Sequence, residues 1–412
     1  MPMRVAIIGL GRVGLPLACV LAEAGLTVVG IDRDRQRVLQ VQRGEAPFRE
    51  AGLAEGLARV RAGTLTATED HGAVADADAI VITVGTPVDD HLNPVLTDLT
   101  AVLDAVEPHL RRGQTLVLRS TVSPGTTTGV ARRLERATGW RIDADLGLAF
   151  CPERIAEGHA LAELRRIPQI LGAVGPRSAA AAAALFAPLG VETLVTDPLS
   201  AELAKLFANM YRYVTFAMAN EFMMIAEQFG SRYPEVRRLV NQHYPRGGLP
   251  GAGFAAGPCL YKDGFFLLEH VPFSDLISTG WRINENMPNF LVHRLEARRP
   301  LADQTIALLG MAFKADSDDP RQSLSFRMLH LLEARGARVI PHDPYITRYA
   351  APLADTVARA DTVVIAAPHA PYRTALPALL AAAPDRLVCD VWDVCGTGEL
   401  VFAGRALAES SA

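Results

Sequence analysis

Cysteine is scarce in this 412-residue chain, which has only Cys19, Cys151, Cys259, Cys389 and Cys395. The count is odd, no two stand as CxxC, and no Cys/His spacing suits zinc. A disulfide-stapled domain and a zinc module are excluded, and reduced thiols in a cytoplasmic protein are the simplest reading. An excess of one charge is also lacking. Against 41 lysines and arginines stand 45 aspartates and glutamates, a formal net charge of -4, so no bulk attraction to nucleic acid or an anionic membrane is expected. No uncharged apolar run reaches about 18 residues, so no membrane span is expected. The alanine-rich stretch around Ala179 to Ala184 is too short and too weakly apolar to be one and reads as a helix. Met1-Pro2-Met3-Arg4 leads straight into a strand-like segment, so no signal peptide is expected.

Half of the residues are apolar and 21% are charged, the balance of a folded globular chain. One core rarely grows beyond roughly 250–300 residues, so two or three domains are expected. Apolar strand-like runs at 4–8, 27–31, 79–84, 115–118 and 146–150 alternate with helical stretches. That alternation predicts a parallel sheet covered on both faces. From Leu199 to about Gly230 the pattern turns helical without a break, and helical segments continue to about Arg299. Strand–helix alternation returns at 305–309, 338–340, 362–366 and 386–389. The expected architecture is α/β: two doubly wound Rossmann-like domains, at 1–198 and 300–412, joined by a long helix and a helical middle domain at 199–299.

Gly9-Leu10-Gly11-Arg12-Val13-Gly14 is GxGxxG, placed after a strand and at the start of a helix. Gly9 permits the tight turn, Gly11 lets a pyrophosphate approach the backbone, and Gly14 lets the helix pack on the sheet. Asp32 closes the second strand, 23 residues after Gly9, where a carboxylate accepts ribose hydroxyls and repels a 2′-phosphate. NAD is therefore expected over NADP, a preference that Arg33 and Arg35 would weaken. Polar turns follow three later strands: Gly85-Thr86-Pro87, Ser120-Thr121-Val122-Ser123-Pro124-Gly125 and Cys151-Pro152-Glu153-Arg154. Ligands of doubly wound sheets gather at such carboxyl ends. Cys259 stands in a Gly/Pro-rich loop followed by Lys262 and Asp263, a setting that suits either a reactive thiol or a structural one. Lys205 and Asn209, four apart, share one helix face, as an oxyanion-stabilising pair or as ordinary surface polarity.

The ordered set of these segments closely resembles the UDP-glucose/GDP-mannose dehydrogenase family. It comprises GLGRVGLP (9–16), GTP (85–87), STVSPGT (120–126), PER (152–154), ELAKLFAN (202–209), GPCLYKD (257–263), WRINENMP (281–288) and GMAFKADSDDPRQS (310–323). The resemblance implies a four-electron oxidation of a nucleotide-sugar C6 hydroxyl to a carboxylate, with NAD as cofactor. It implies Cys259 as nucleophile, Lys205 and Asn209 as oxyanion donors, and Asp263 acting with Lys205 in proton transfer. Glu153 would promote thioester hydrolysis through a water held by Thr121. Around the cofactor it places Arg12, Val13, Arg37, Thr86, Lys262 and Arg321, besides the glycines. Around the sugar it places Arg154, Phe254, Gly257, Phe313 and Lys314, with Arg282 reaching in from a neighbouring subunit of a homodimer. No nucleic-acid, membrane or metal partner is implied.

Two departures bear on the substrate. Ala255-Ala256 stands where many UDP-glucose enzymes have a glycine pair, and Asp390-Val391-Trp392-Asp393 stands where many have Asp-Gly-Arg. UDP-glucose is the first expectation. PER followed by Pro168-Gln169-Ile170 resembles the subgroup that handles UDP-N-acetylhexosamines (GlcNAc or ManNAc), which is the alternative. A two-electron dehydrogenase, which needs no Cys259, and a non-catalytic NAD-binding structural or sensor protein are the competing classes.

Overall fold

The computed structural model describes residues 2–60, 63–268, 271 and 274–410. The chain forms two compact units, one of Met1–Ala208 with Phe265–Val271, the other of Asn209–Gly264 with Pro272–Ala412.

The first unit is built on eight strands: β1 (Arg4–Ile8), β2 (Thr27–Ile31), β3 (Leu65–Thr68), β4 (Ala79–Ile82), β5 (Thr115–Leu118), β6 (Gly147–Phe150), β7 (Gln169–Ala173) and β8 (Thr193–Thr196). Their order is β3-β2-β1-β4-β5-β6-β7-β8. Every pair is parallel except β6 with β7. The central strands are apolar at nearly every position because both faces are covered. In β1, Val5 and Ile7 join the core that holds Leu17, Leu21 and Phe186. Ala6 and Ile8 join the opposite core, with Ile80, Leu116 and Phe150. The order reverses between β1 and β4, and the carboxyl ends of the strands there form the crevice in which such folds hold ligands.

The second unit carries a five-stranded sheet, in the order β10-β9-β11-β12-β13. Its strands are β9 (Thr305–Leu309), β10 (Arg338–His342), β11 (Thr362–Ile365), β12 (Leu387–Asp390) and β13 (Val401–Ala403). Only β13 runs antiparallel to its neighbour. Where the sequence suggests a separate helical middle, the helical residues from Asn209 onward group with this sheet. Ala219, Met223, Met287 and Leu291 share a core with Ile306 and Leu308 of β9. The helix Pro198–Gln228 has 31 residues, about 46 Å of rise, and contributes to both units.

Candidate active site

The glycine-rich turn follows β1. Gly9 has φ +97°, and a Cβ on Gly14 would overlap the Gly9 carbonyl oxygen, so both positions need glycine for the turn itself. Gly11 differs: a Cβ there would meet nothing within 4 Å, which leaves an open approach to the backbone. The helix Gly14–Glu23 starts after Val13 with no side-chain cap, its Leu15 and Leu17 N–H groups donating to Gly11 O (3.1 Å) and Val13 O (3.3 Å) and Pro16 having none. Asp32 is buried and rigid. Its Oδ2 accepts from the Leu10 N–H (2.7 Å) and from Arg37 Nη1 (3.0 Å), and its Oδ1 accepts from the Asp34 N–H (2.9 Å). Arg33, the neighbour best placed in sequence to hold a 2′-phosphate, instead pairs with Asp98 at 3.0 Å. The open cradle, uncapped helix start and fixed carboxylate fit NAD. Arg12 pairs with Glu157 at 2.8 Å and lies 5.0 Å from the centre of the Phe48 ring, fastening the turn to the segment after PER. Asp32→Ala is expected to weaken NAD binding and to narrow the NAD/NADP ratio of catalytic efficiencies. Equal efficiencies in the unmodified enzyme would contradict this account of Asp32.

The second sheet repeats this geometry without the opening. Gly310 (φ +94°) donates to His342 O at 2.7 Å, as Gly9 donates to Ile31 O. Asp343 Oδ2 accepts from Met311 N (2.8 Å), Ala312 N (2.9 Å) and His369 Nε2 (3.0 Å). Burial alone would raise the Asp343 carboxyl, but the His369 contact and the backbone donors hold it below the usual value. With its oxygens engaged and no exposed surface, Asp343 braces the loop 311–319 rather than offering a second ribose site.

Three turns at the carboxyl ends of the first sheet are cross-linked. Thr86 Oγ1 donates to Thr121 O (2.6 Å), and Ser120 Oγ donates to Val84 O (2.6 Å). Glu153 meets a residue that sequence reasoning passes over, Arg119, whose side chain is wholly buried. Arg119 Nε and Nη2 reach Glu153 Oε2 at 2.7 and 2.5 Å, and Nη1 donates to Cys151 O (3.2 Å) and Gln169 Oε1 (3.1 Å). Glu153 Oε1 accepts from the N–H groups of Arg154 (2.7 Å) and Ile155 (2.9 Å). The Arg154 side chain donates to Pro168 O, and burial lowers its pKa. The signal available for Arg119 is its place directly after the buried strand β5: an arginine there needs a carboxylate partner.

Lys205 has 9% exposure and no ion pair among the described residues. Its helix is docked by Glu202, whose carboxylate accepts from Gly125 N (2.6 Å), Thr127 N (2.8 Å) and Thr127 Oγ1 (2.6 Å). That carboxylate caps the helix Thr126–Thr138, which has only Gly125 at its own cap position.

The second unit holds the other candidates. Cys259 is the exposed thiol and stands at the start of the short helix Leu260–Asp263. Asp263, fully buried, accepts from Asn209 Nδ2 (2.6 Å) and Lys262 Nζ (3.0 Å). Lys262 thus meets Asp263 here, inside the second unit. Phe313 packs on Gly257, and Phe254 is buried close by in sequence. Lys314 is half-buried, while Arg321 makes a forked contact with Asp319 (2.9 and 2.6 Å). Arg282 is exposed, with one hydrogen bond to Thr279 (3.1 Å). Thr121, Glu153 and Lys205 belong to the first unit, and Asn209, Cys259, Asp263, Arg282, Phe313, Lys314 and Arg321 to the second. Burial pushes the Cys19 and Cys151 thiols up to about 12, leaving about one thiolate in 10⁴ at pH 8. Iodoacetamide at that pH is therefore expected to label the Cys259 peptide and spare those two. Equal labelling by mass spectrometry would contradict the burial.

A doubly wound unit with this glycine turn, its fixed Asp32 and its polar strand ends defines a dinucleotide-dependent oxidoreductase. Models of the UDP-glucose/GDP-mannose dehydrogenase family match residues 3–190 (NAD binding domain), 199–286 (central domain) and 307–397 (UDP binding domain). A UDP-N-acetyl-D-mannosamine dehydrogenase of Pyrococcus horikoshii is 34% identical over 382 residues, covering 90% of this chain and 91% of that protein. An NDP-N-acetyl-D-galactosaminuronic acid dehydrogenase of Ralstonia nicotianae is 32% identical over 392 residues, covering 90% and 91%. The solved structure of a UDP-glucose dehydrogenase from Pyrobaculum islandicum is similar at a TM-score of 0.83 and 30% identity, covering 90% and 91%. The chain belongs to the UDP-glucose/GDP-mannose dehydrogenase family and is an NAD-dependent nucleotide-sugar dehydrogenase. Among the described residues, no helix is long and apolar enough to cross a membrane.

Proposed function

We propose that the chain oxidises the C6 hydroxyl of a UDP-N-acetylhexosamine to the carboxylate in two NAD-dependent steps through Cys259. The sugar rests on one observation: the relatives from Pyrococcus horikoshii and Ralstonia nicotianae are both named for N-acetylated hexosamine or hexosaminuronic acid substrates. Those names favour the acetylhexosamine over UDP-glucose. The covalent route rests on the exposed Cys259 beside the Asn209–Asp263–Lys262 chain of hydrogen bonds.

The alcohol first loses a proton and a hydride to become the aldehyde. Cys259 sulfur, as thiolate, adds to the aldehyde carbon, and the oxygen takes a proton to give a thiohemiacetal. Loss of a second hydride and that proton gives the thioester. Water then attacks, the C–S bond breaks, and the carboxylate leaves with the thiol restored. When bound, NAD accepts each hydride, so one sugar yields two NADH and three protons. Asn209 and Lys205 are the donors for the oxygen anions formed on addition and on hydrolysis. Asp263 fixes the Asn209 amide by accepting from it. Glu153, held immobile by Arg119, orients the hydrolytic water. A panel of UDP-GlcNAc, UDP-ManNAc, UDP-glucose and GDP- and dTDP-sugars, read by NADH absorbance, tests this. The expected result is two NADH per UDP-N-acetylhexosamine; preferred turnover of UDP-glucose would return the first expectation, and a one-NADH stoichiometry would remove the thioester.

A homodimer belongs to the same reading. On the helix Pro198–Gln228, Tyr211, Met218, Phe222 and Ile225 are exposed, as is Phe229 directly after it. Their spacings of 7, 4, 3 and 4 follow the 3.5-residue period of a helix-pairing seam. The stripe borders a groove of about 970 Å³ that also includes Val240 and Leu276. A self-matching apolar stripe suits a second copy of the same helix across a two-fold axis. Sedimentation is expected to give a dimer, and Phe222→Glu with Ile225→Arg a monomer. Fully active monomers of the unmodified chain would overturn this.

A further inference from the structure

The loop that carries Cys259 is gripped at two glycines by two aromatic rings. Trp392 lies over Gly253, where a Cβ would fall inside the van der Waals shell of the indole. Trp392 is itself anchored: Nε1 donates to Ala366 O (3.0 Å) beyond β11, and its backbone N–H donates to Asp390 Oδ1 (3.2 Å) at the end of β12. Gly253 has φ +151° and donates its N–H to Asn220 Oδ1 (2.8 Å). Asn220 is fully buried and donates in turn to Asn284 Oδ1 (2.9 Å), whose amide donates to Tyr213 O (3.0 Å). Gly253 is thus held by a buried amide pair through its N–H and by the indole over its Cα. Four residues on, Gly257 (φ +99°) lies against the Phe313 ring and donates to Gln322 O (3.1 Å). Cys259 follows two residues later.

We propose that Trp392 is a positioning residue for the nucleophile: by covering Gly253 it fixes the first bend of the loop and thereby the direction in which the Cys259 sulfur is presented. This rests on the reading of Cys259 as the nucleophile. The stretch from Gly253 to Gly257 is Phe254-Ala255-Ala256, with only small side chains beyond Phe254, so the loop's course is set at its two glycine bends. Backbone at φ values open only to glycine has many alternatives once its cover is removed. A displacement of the attacking atom by about 1 Å is enough to cost on the order of 10²-fold in rate. Trp392 occupies the third position of Asp390-Val391-Trp392, where the resemblance leads one to expect the arginine of Asp-Gly-Arg. An aromatic plane there can cover a glycine Cα, which a flexible guanidinium chain covers less well.

The test couples two readouts on the full-length enzyme. Trp392→Ala is expected to lower kcat about 10- to 100-fold with KM for NAD unchanged, and to raise the rate of Cys259 alkylation by iodoacetamide several-fold. Trp392→Phe, which keeps a ring over Gly253, is expected to restore most of both. Gly253→Ala, which keeps the indole but displaces the loop from it, is expected to mimic Trp392→Ala. Alkylation of Cys259 at the unmodified rate in Trp392→Ala, with kcat within twofold, overturns the proposal. If Trp392→Ala does not fold, unchanged alkylation and kcat in Gly253→Ala overturn it equally. Should Cys259→Ala prove active, the assignment of the nucleophile fails. The alkylation rates would still report whether Trp392 holds the loop, so the two failures are separable.

Discussion

Cys259→Ala is expected to lose on the order of 10³-fold or more in two-NADH turnover, more than any other single substitution at the site. Without the thiol, the aldehyde formed in the first oxidation has only water to add to it, slowly and without a good hydride donor as the product. Cys259→Ser retains an attacking oxygen but gives an ester, a poorer acyl group to hydrolyse, so an adduct is expected to accumulate. Glu153→Gln separates the halves of the reaction. Acylation should remain largely intact and hydrolysis should slow, giving a burst of NADH followed by a slow phase. Mass spectrometry of this variant, quenched with substrate, should find the sugar on the Cys259 peptide. Near-normal turnover by Cys259→Ala with two NADH per sugar would remove the covalent mechanism and return the cysteine to a structural role.

Arg119→Met is expected to lower the stability of the first unit by about 3–5 kcal/mol, because it strands the Glu153 charge in a site with little water. The Arg119 side chain is 0% exposed and that of Glu153 10%, so the pair interacts with little solvent screening. Glu153→Leu alone strands the guanidinium in the same way. The double variant, Arg119→Met with Glu153→Leu, removes both charges and is expected to recover part of the loss, the remainder being the Arg154 and Ile155 N–H groups, the Cys151 carbonyl and Gln169 Oε1 left without the pair. Urea unfolding of the four proteins decides the point. Additive losses in the double variant would mean that the two side chains do not depend on each other.

The parts of the fold legible in the sequence are those that bury on both faces. β1 and β2 are read to the residue because a parallel, doubly covered strand is a continuous apolar run. β3 (Leu-Thr-Ala-Thr) and β8, whose Leu194 and Val195 are exposed, carry no such run and pass as loop. β7 and β13 are likewise hidden, one among motif residues and one in only three residues. In the site, the glycine turn and Asp32 are legible because they fall within one βαβ unit. The Asn209–Asp263 contact spans 54 residues and Arg119–Glu153 spans 34. Nothing in either local pattern encodes such pairings. The hydrogen bonds of Asp263 run to Asn209 and Lys262, both within the second unit.

Glu202 acts as a ruler. Its carboxylate ends on the 125–127 turn, and Lys205 lies three residues further along the same helix, so the length of one side chain fixes how far the helix stands off that turn. Shortening it by a single methylene, as in Glu202→Asp, leaves the charge and both backbone donors in place. The helix must then move inward or the cap must break. Either way the Lys205 ammonium shifts with its helix, so the placement of the proposed oxyanion donor depends on a residue with no proposed part in the chemistry.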